Sequence, residues 1–60
     1  MIYLKVAHVD DNDADYFRFY DLIRAAKYIA DNKEQEWVMT DERFEEMPLE
    51  GDYTFVDVQL

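Results

Sequence analysis

The sequence predicts a small α/β domain built around a parallel sheet of three strands, and three patterns support this prediction. Residues 2–9 are rich in branched apolar side chains, with Lys5 and His8 as the only polar interruptions, and apolar residues occur at both odd and even positions, as in a strand covered on both faces. Helical periodicity follows over residues 14–31, and shorter apolar runs occur at 37–40 and 53–58. Because strands alternate with helices, we expect right-handed crossovers, strand order 2-1-3 and one partial domain over residues 1–60.

The individual elements follow in order. A polar break ends the first strand, and Asn12 or Asp13 can cap the long helix. Six residues of this helix fall within an arc of about 120° and are predicted to face the core: Phe19, Leu22, Ile23, Ala26, Ile29 and Ala30. Asp41 can begin a short second helix that Pro48 helps to end, before the last strand.

The composition is strongly acidic, and this limits the function. Fifteen acidic and six basic residues give a net charge of -9, which disfavours nucleic acid and anionic membranes as direct partners. No apolar run approaches the roughly 20 residues that span a bilayer, so we expect a cytoplasmic location. The chain lacks serine and cysteine, and its one histidine, His8, is expected to pack within a strand. The sequence therefore predicts a protein that is not an enzyme.

Three aspartates form the sharpest candidate site. Asp10 and Asp11 stand where the first apolar run stops, and Asp57 stands inside the last one. If these runs are neighbouring parallel strands, the three carboxylates converge at the carboxyl edge of the sheet. Oxygen ligands of this kind suit Mg²⁺, and the backbone carbonyl of Gln59 is a natural further ligand. An aspartate beside that cation could also accept a phosphoryl group.

At these residues the chain resembles a known family. The stretch KVAHVDDNDAD with the following LIRAA, and the closing GDYTFVDVQL, resemble strands one to three of a response-regulator receiver domain. The resemblance implies a flavodoxin-like half-domain in two-component signal transduction, with Asp57 as phospho-acceptor. It also implies Mg²⁺ held by Asp10, Asp11, Asp57 and the Gln59 carbonyl, and a histidine kinase or phosphotransfer protein as partner.

The chain also departs from that family, because it stops after the third strand. It lacks the hydroxyl residue and the lysine that receivers carry on later strands, so it is expected to be half of a fold. A complementing receiver half or a second copy could complete the sheet, either through the edge of strand three or through a helix face bearing Phe17 and Tyr28. Those two aromatic residues could instead simply cover a neighbouring helix or loop.

Other interpretations compete with the receiver. Asp10 and Asp11 could belong to a solvated turn, and a calcium loop through Asp11 fails because Tyr16 and Leu22 replace its required glycine and glutamate. The main functional alternative is a small acidic inhibitor, as in phage-encoded DNA mimics, that binds a DNA-binding enzyme. A purely structural interaction module also remains open. The acidic run is expected to be a solvated face: Glu42, Glu45, Glu46 and Glu50.

Overall fold

The computed structural model describes residues 1–7, 13–32 and 36–60, which form a four-stranded sheet with one α-helix. The elements in chain order are β1 (Ile2–Ala7), β2 (Ala14–Phe19), α1 (Leu22–Asp31), β3 (Glu36–Thr40), a 3-10 turn (Glu50–Asp52) and β4 (Thr54–Phe55). The strands lie in the order β3-β1-β2-β4.

The sheet is mixed and mostly antiparallel. β1 pairs with β2 antiparallel, with Ile2 opposite Phe19, and it pairs with β3 in the same sense, with Lys5 opposite Val38. Only β4 runs parallel to its neighbour, β2. The predicted flavodoxin-like parallel sheet with strand order 2-1-3 is therefore wrong.

The error lies in the segment after β1, where the prediction begins a long helix. Residues 14–19 instead form β2, because Tyr16, Phe17 and Phe19 are aromatic residues that favour strands and fit both faces of a sheet. Six residues separate β1 from β2. A parallel crossover needs a dozen or more residues, so such a short connection can only join antiparallel neighbours.

The helix accordingly begins at Leu22 rather than near residue 14. Asp21 is its N-cap: the backbone of this residue is extended, and its carboxylate accepts a hydrogen bond of 2.9 Å from the backbone N–H of Arg24. The helix is oriented so that Ala25 is buried, whereas Leu22 and Ile23 are 54% and 67% exposed. The predicted core-facing stripe is therefore wrong at most of its positions.

The main core lies between α1 and the sheet. Leu4, Phe19 and Ala25 are fully buried there. Partly buried apolar residues surround them: Ile2, Phe17, Tyr28, Ile29, Trp37, Val56 and Val58. The ring of Tyr28 lies 5.3 Å from that of Phe19 and 5.6 Å from that of Trp37, measured between centroids. These aromatic contacts tie the helix to both β2 and β3.

The remaining predicted elements survive only in part. The expected strand at 37–40 is confirmed as β3, although it pairs antiparallel. The expected strand at 53–58 is reduced to the two residues of β4. Turns and irregular backbone replace the expected second helix after Asp41.

Candidate functional site

The predicted cation site is only partly within the described residues. Asp10 and Asp11 lie outside them, as does His8. Asp57 and Gln59 lie on the surface beyond β4, where the side-chain amide of Gln59 donates to the Asp57 carboxylate at 3.4 Å. The carbonyl predicted as a metal ligand, that of Gln59, accepts a hydrogen bond of 2.6 Å from the Lys27 ammonium.

The three aspartates were expected to converge because their strands would be parallel, but the strands run in opposite directions. β4 runs parallel to β2 and therefore opposite to β1. Phe55, at the end of β4, lies beside Arg18, which pairs with Tyr3 near the start of β1, whereas Ala7 ends β1 at the far end of the sheet. The carboxyl ends of β1 and β4 thus lie at opposite ends of the sheet. Coordination of Mg²⁺ by Asp57 with the acidic pair stays a prediction, and parallel strands no longer support it.

Within residues 1–7, 13–32 and 36–60, no group of three or more histidine, cysteine, aspartate or glutamate side chains is arranged to hold a metal ion. The helix in these ranges is also too short and too polar to cross a membrane.

The aromatic pair predicted to lie on a helix face also has a different setting. Phe17 is on strand β2, and its ring lies 5.9 Å from that of Tyr28 on α1. Both rings pack against the buried core cluster. The bland interpretation, in which these residues cover a neighbouring element, describes their contacts better than an exposed binding patch does.

A different acidic feature emerges on the sheet face opposite α1. Residues 41–52, here called the acidic strap, contain six acidic residues and one basic residue, Arg43. The Tyr53 hydroxyl anchors the strap: it accepts a hydrogen bond of 2.8 Å from the backbone N–H of Phe44 and donates one of 3.4 Å to the carbonyl of the same residue. Burial of the Tyr53 ring raises the pKa of its hydroxyl.

Aromatic packing fixes the strap further. The ring of Tyr16 lies 5.8 Å from that of Phe44 and 6.0 Å from that of Tyr53, and Tyr3 lies 4.9 Å from Tyr53. The Arg43 guanidinium donates to the Pro48 carbonyl at 2.9 Å, which braces the strap internally. The segment is therefore held in a defined position on the sheet although it contains almost no regular structure.

Two cations on the strands bind carboxylates of the strap. Lys5 on β1 lies 3.4 Å from Glu46, and Arg18 on β2 lies 3.6 Å from Glu50. In both pairs the cation is the more buried partner, with 30% and 24% of the side chain exposed against 57% and 54% for the glutamates. The negative end of each pair thus faces solvent.

The Lys5 pair also shifts two pKa values. The hydrogen bond and the charge of Glu46 raise the pKa of the Lys5 ammonium above its ordinary value. The pKa of Glu46 is lowered, first by a hydrogen bond from its own backbone N–H and then by Lys5. Both groups therefore stay charged at neutral pH.

Exposed carboxylates and internally paired cations characterise the whole surface of the described residues. Of the twelve acidic residues in the described ranges, all except Asp21 are exposed. The five basic residues in those ranges all have an acceptor within the chain, namely Lys5 with Glu46, Arg18 with Glu50, Arg24 with Asp21, Lys27 with the Gln59 carbonyl and Arg43 with the Pro48 carbonyl. The outer surface of these residues is consequently far more negative than positive.

The sequence pattern does not identify the strap as a site, because its glutamates have the spacing expected of an ordinary solvated face. The available signal was the position of two cations, Lys5 and Arg18, between apolar and aromatic residues of strands. Cations at such positions need acceptors, and a nearby acidic run is the natural source.

Comparison with known proteins identifies no relative of this chain. No protein-family model matches the chain, nor does any curated protein or any solved structure.

Proposed function

We propose that this chain is a small acidic binding protein that occupies a basic surface of another protein, of the kind that nucleic-acid-binding enzymes present to phosphates. The observation that carries the proposal is the segregation of charge, with carboxylates exposed and cations contacting acceptors of the chain itself. The acidic strap is the densest part of this surface, with six carboxylates in residues 41–52.

The strap suits this role because its backbone is already positioned. The Tyr53 hydroxyl and the Tyr16 ring hold Phe44 in place, and Lys5 and Arg18 hold Glu46 and Glu50. A positioned row of carboxylates loses less conformational entropy on binding than a flexible acidic tail would. A net charge of -9 also steers association with a positively charged partner.

Phosphorylation of Asp57 has less support. A receiver needs its acidic pair and its phospho-acceptor at one edge of a parallel sheet, and the sheet here is mixed, with β1 and β4 running in opposite directions. Two-component signalling through a histidine kinase therefore stays a prediction, and the cytoplasm stays the expected location.

The test is competition with DNA for a basic protein. A fluorescent DNA duplex bound to a lysine- and arginine-rich DNA-binding domain is titrated with the chain, and displacement is followed by anisotropy. We expect displacement that weakens steeply as salt is raised from about 0.05 M to about 0.5 M, because the contacts are between exposed charges. A short oligoarginine peptide, titrated by calorimetry, reports the charge contribution alone.

Matched charge reversals locate the binding surface. Glu42→Lys with Glu45→Lys changes the strap, and Asp31→Lys with Asp57→Lys makes the same change in net charge on α1 and beyond β4. We expect the strap variant to lose displacement at least about tenfold more than the control variant does, since local charge complementarity sets affinity. Equal losses would mean that net charge alone acts, and would contradict a specific role for the strap.

Magnesium distinguishes the receiver interpretation from this proposal. The amide NMR spectrum is recorded with Mg²⁺ and then with beryllofluoride, an aspartyl-phosphate analogue, using Asp57→Asn as the control. Saturable shifts at Val56 to Leu60 that disappear in the control, combined with failure to displace DNA, would overturn the proposal in favour of a phospho-acceptor.

A further inference from the structure

Strand β3 is an edge of the sheet that presents backbone groups and apolar side chains together. Among the described residues its sheet neighbour is β1, on one side only. Val38 is 55% exposed and Met39 is 44% exposed. The five residues Glu36–Thr40 contain no proline and no lysine, two of the residue types that commonly prevent edge strands from pairing.

We infer that β3 is a homodimer interface, at which two copies of the chain pair β3 with β3 antiparallel about a two-fold axis centred on Val38. The axis is perpendicular to the sheet, because residues opposite one another in an antiparallel pair must point to the same face. The product is a continuous sheet of eight strands made from two copies of the four-stranded sheet.

Self-complementarity of the strand selects this register. With Val38 opposite its own copy, Trp37 lies opposite Met39 and Glu36 lies opposite Thr40, so apolar residues meet and no carboxylates within the strand are opposed. Every other centre in β3 opposes a carboxylate to another carboxylate or to an apolar side chain. Centring on residue 36 opposes Glu36 to its own copy, and centring on residue 37 opposes Glu36 to Val38. Centring on residue 39 opposes Asp41 to Trp37, and centring on residue 40 opposes Glu42 to Val38. These registers are unfavourable.

The backbone supplies the remaining complementarity. Alternate residues of β3 direct their N–H and C=O groups outward, and a five-residue antiparallel pair centred on its middle residue forms about four to six hydrogen bonds. The other edge strand, β4, is only two residues long and offers a much shorter ladder. A second copy is therefore best matched to β3.

The symmetry of the proposed dimer determines where its two acidic straps lie, whatever the straps bind. A two-fold axis perpendicular to the sheet keeps both helices on one face and both straps on the other. The dimer would present two straps on one face, which would raise the avidity for an extended basic surface.

Charge predicts how the dimer should respond to salt. Two copies of net charge -9 repel each other, and salt screens that repulsion while leaving the backbone hydrogen bonds and apolar contacts in place. We therefore expect dimerisation to strengthen with salt. Binding to a basic partner should weaken with salt, so the two proposals can fail independently.

Disulfide trapping tests the register directly, because the chain has no cysteine of its own. Residues opposite each other in an antiparallel pair have Cα atoms about 4.5–5.5 Å apart, within the range that a disulfide can bridge. Val38→Cys should therefore form a covalent dimer rapidly under mild oxidation. Met39→Cys is the matched control: the two copies of residue 39 would be about 8 Å apart, beyond that range.

Sedimentation of the unmodified chain tests association itself at low and high salt. We expect a dimer at millimolar concentration in high salt, at least about tenfold weaker in Val38→Lys and unchanged in Ile23→Lys, which alters an exposed residue of α1. A chain that stays monomeric at both salt concentrations would overturn the inference. So would a dimer that Val38→Lys does not weaken, or Met39→Cys cross-linking as fast as Val38→Cys.

Discussion

The two faces of the sheet are stabilised in different ways. On one face, α1 packs its Ala25 against Leu4 and Phe19 of the sheet, and all three residues are fully buried and uncharged. On the other, the acidic strap lies against Tyr16 and Tyr53 and is held by hydrogen bonds and by ion pairs. The helix-covered face therefore supplies most of the stability through burial of apolar surface, while the strap-covered face holds charge in a defined place.

The largest expected effect is on the helix-covered face. Leu4→Ala should lower the free energy of unfolding by about 2–5 kcal/mol, because it removes a fully buried side chain and leaves a cavity. In a 60-residue domain such a loss approaches the total stability. Urea denaturation followed by circular dichroism measures it.

Ile23→Ala is the control for that change. Ile23 is 67% exposed, so we expect an effect within about 0.5 kcal/mol. A loss as large as that of Leu4→Ala would return Ile23 to the core-facing position that the helical periodicity predicts, and would contradict the orientation of α1.

A smaller effect is expected on the strap-covered face. Tyr53→Phe keeps the ring but removes the hydroxyl that bonds both backbone groups of Phe44. We expect a loss of about 1 kcal/mol, the usual net contribution of a hydrogen bond. Hydrogen exchange of the Phe44 amide should accelerate more than that of the Leu4 amide, which would place the change in the strap. Uniform acceleration would instead indicate that the two faces unfold as one unit.

The smallest expected effect is the pH dependence of stability, which should differ between the strap-covered face and the helix cap. The raised pKa of Lys5 means that its contribution is present below the ordinary lysine pKa, near 10.4, and is lost as pH rises above it. The lowered pKa of Glu46 means that its contribution is present above the ordinary glutamate pKa, near 4.3, and is lost as pH falls below it. The strap should weaken at both extremes.

The helix cap should respond only to acid. A hydrogen bond from the Arg24 N–H is the main cause of the lowered pKa of Asp21, so its contribution is lost as pH falls below about 4. Urea midpoints of Lys5→Met and Asp21→Asn, each compared with the unmodified chain from pH 3 to about pH 11, check this pattern. If the Lys5→Met difference persists at pH 3, the ion pair is not its source.

Sequence patterns predicted the existence of several elements and failed at their pairing. The apolar runs correctly placed β1 and β3, because short runs bounded by polar residues are characteristic of strands. The segment at residues 14–19 satisfied both a helical and a strand pattern. Its aromatic residues and its short connection to β1 favour the strand. Because this strand pairs antiparallel with β1, the sheet is not the parallel one that was predicted.

For the candidate site, too, the sequence indicated the residue types but not which of them lie close together. The sequence indicated an acidic protein and an acidic run near Glu45, because composition and charge need no fold. It could not show that Lys5 and Arg18, distant in sequence from the strap, lie beneath it. The predicted convergence of Asp57 with the acidic pair depended entirely on parallel strands.

The sequence by itself determined the charge, the small size and the apolar segments available for a core, since these are properties of composition and local order. The tertiary structure decided which strands are neighbours, which side of α1 is buried, and where the carboxylates stand relative to the cations. These depend on contacts between residues far apart in the chain. Local patterns leave such contacts open until one arrangement buries Leu4 and Phe19 and provides Lys5 and Arg18 with acceptors.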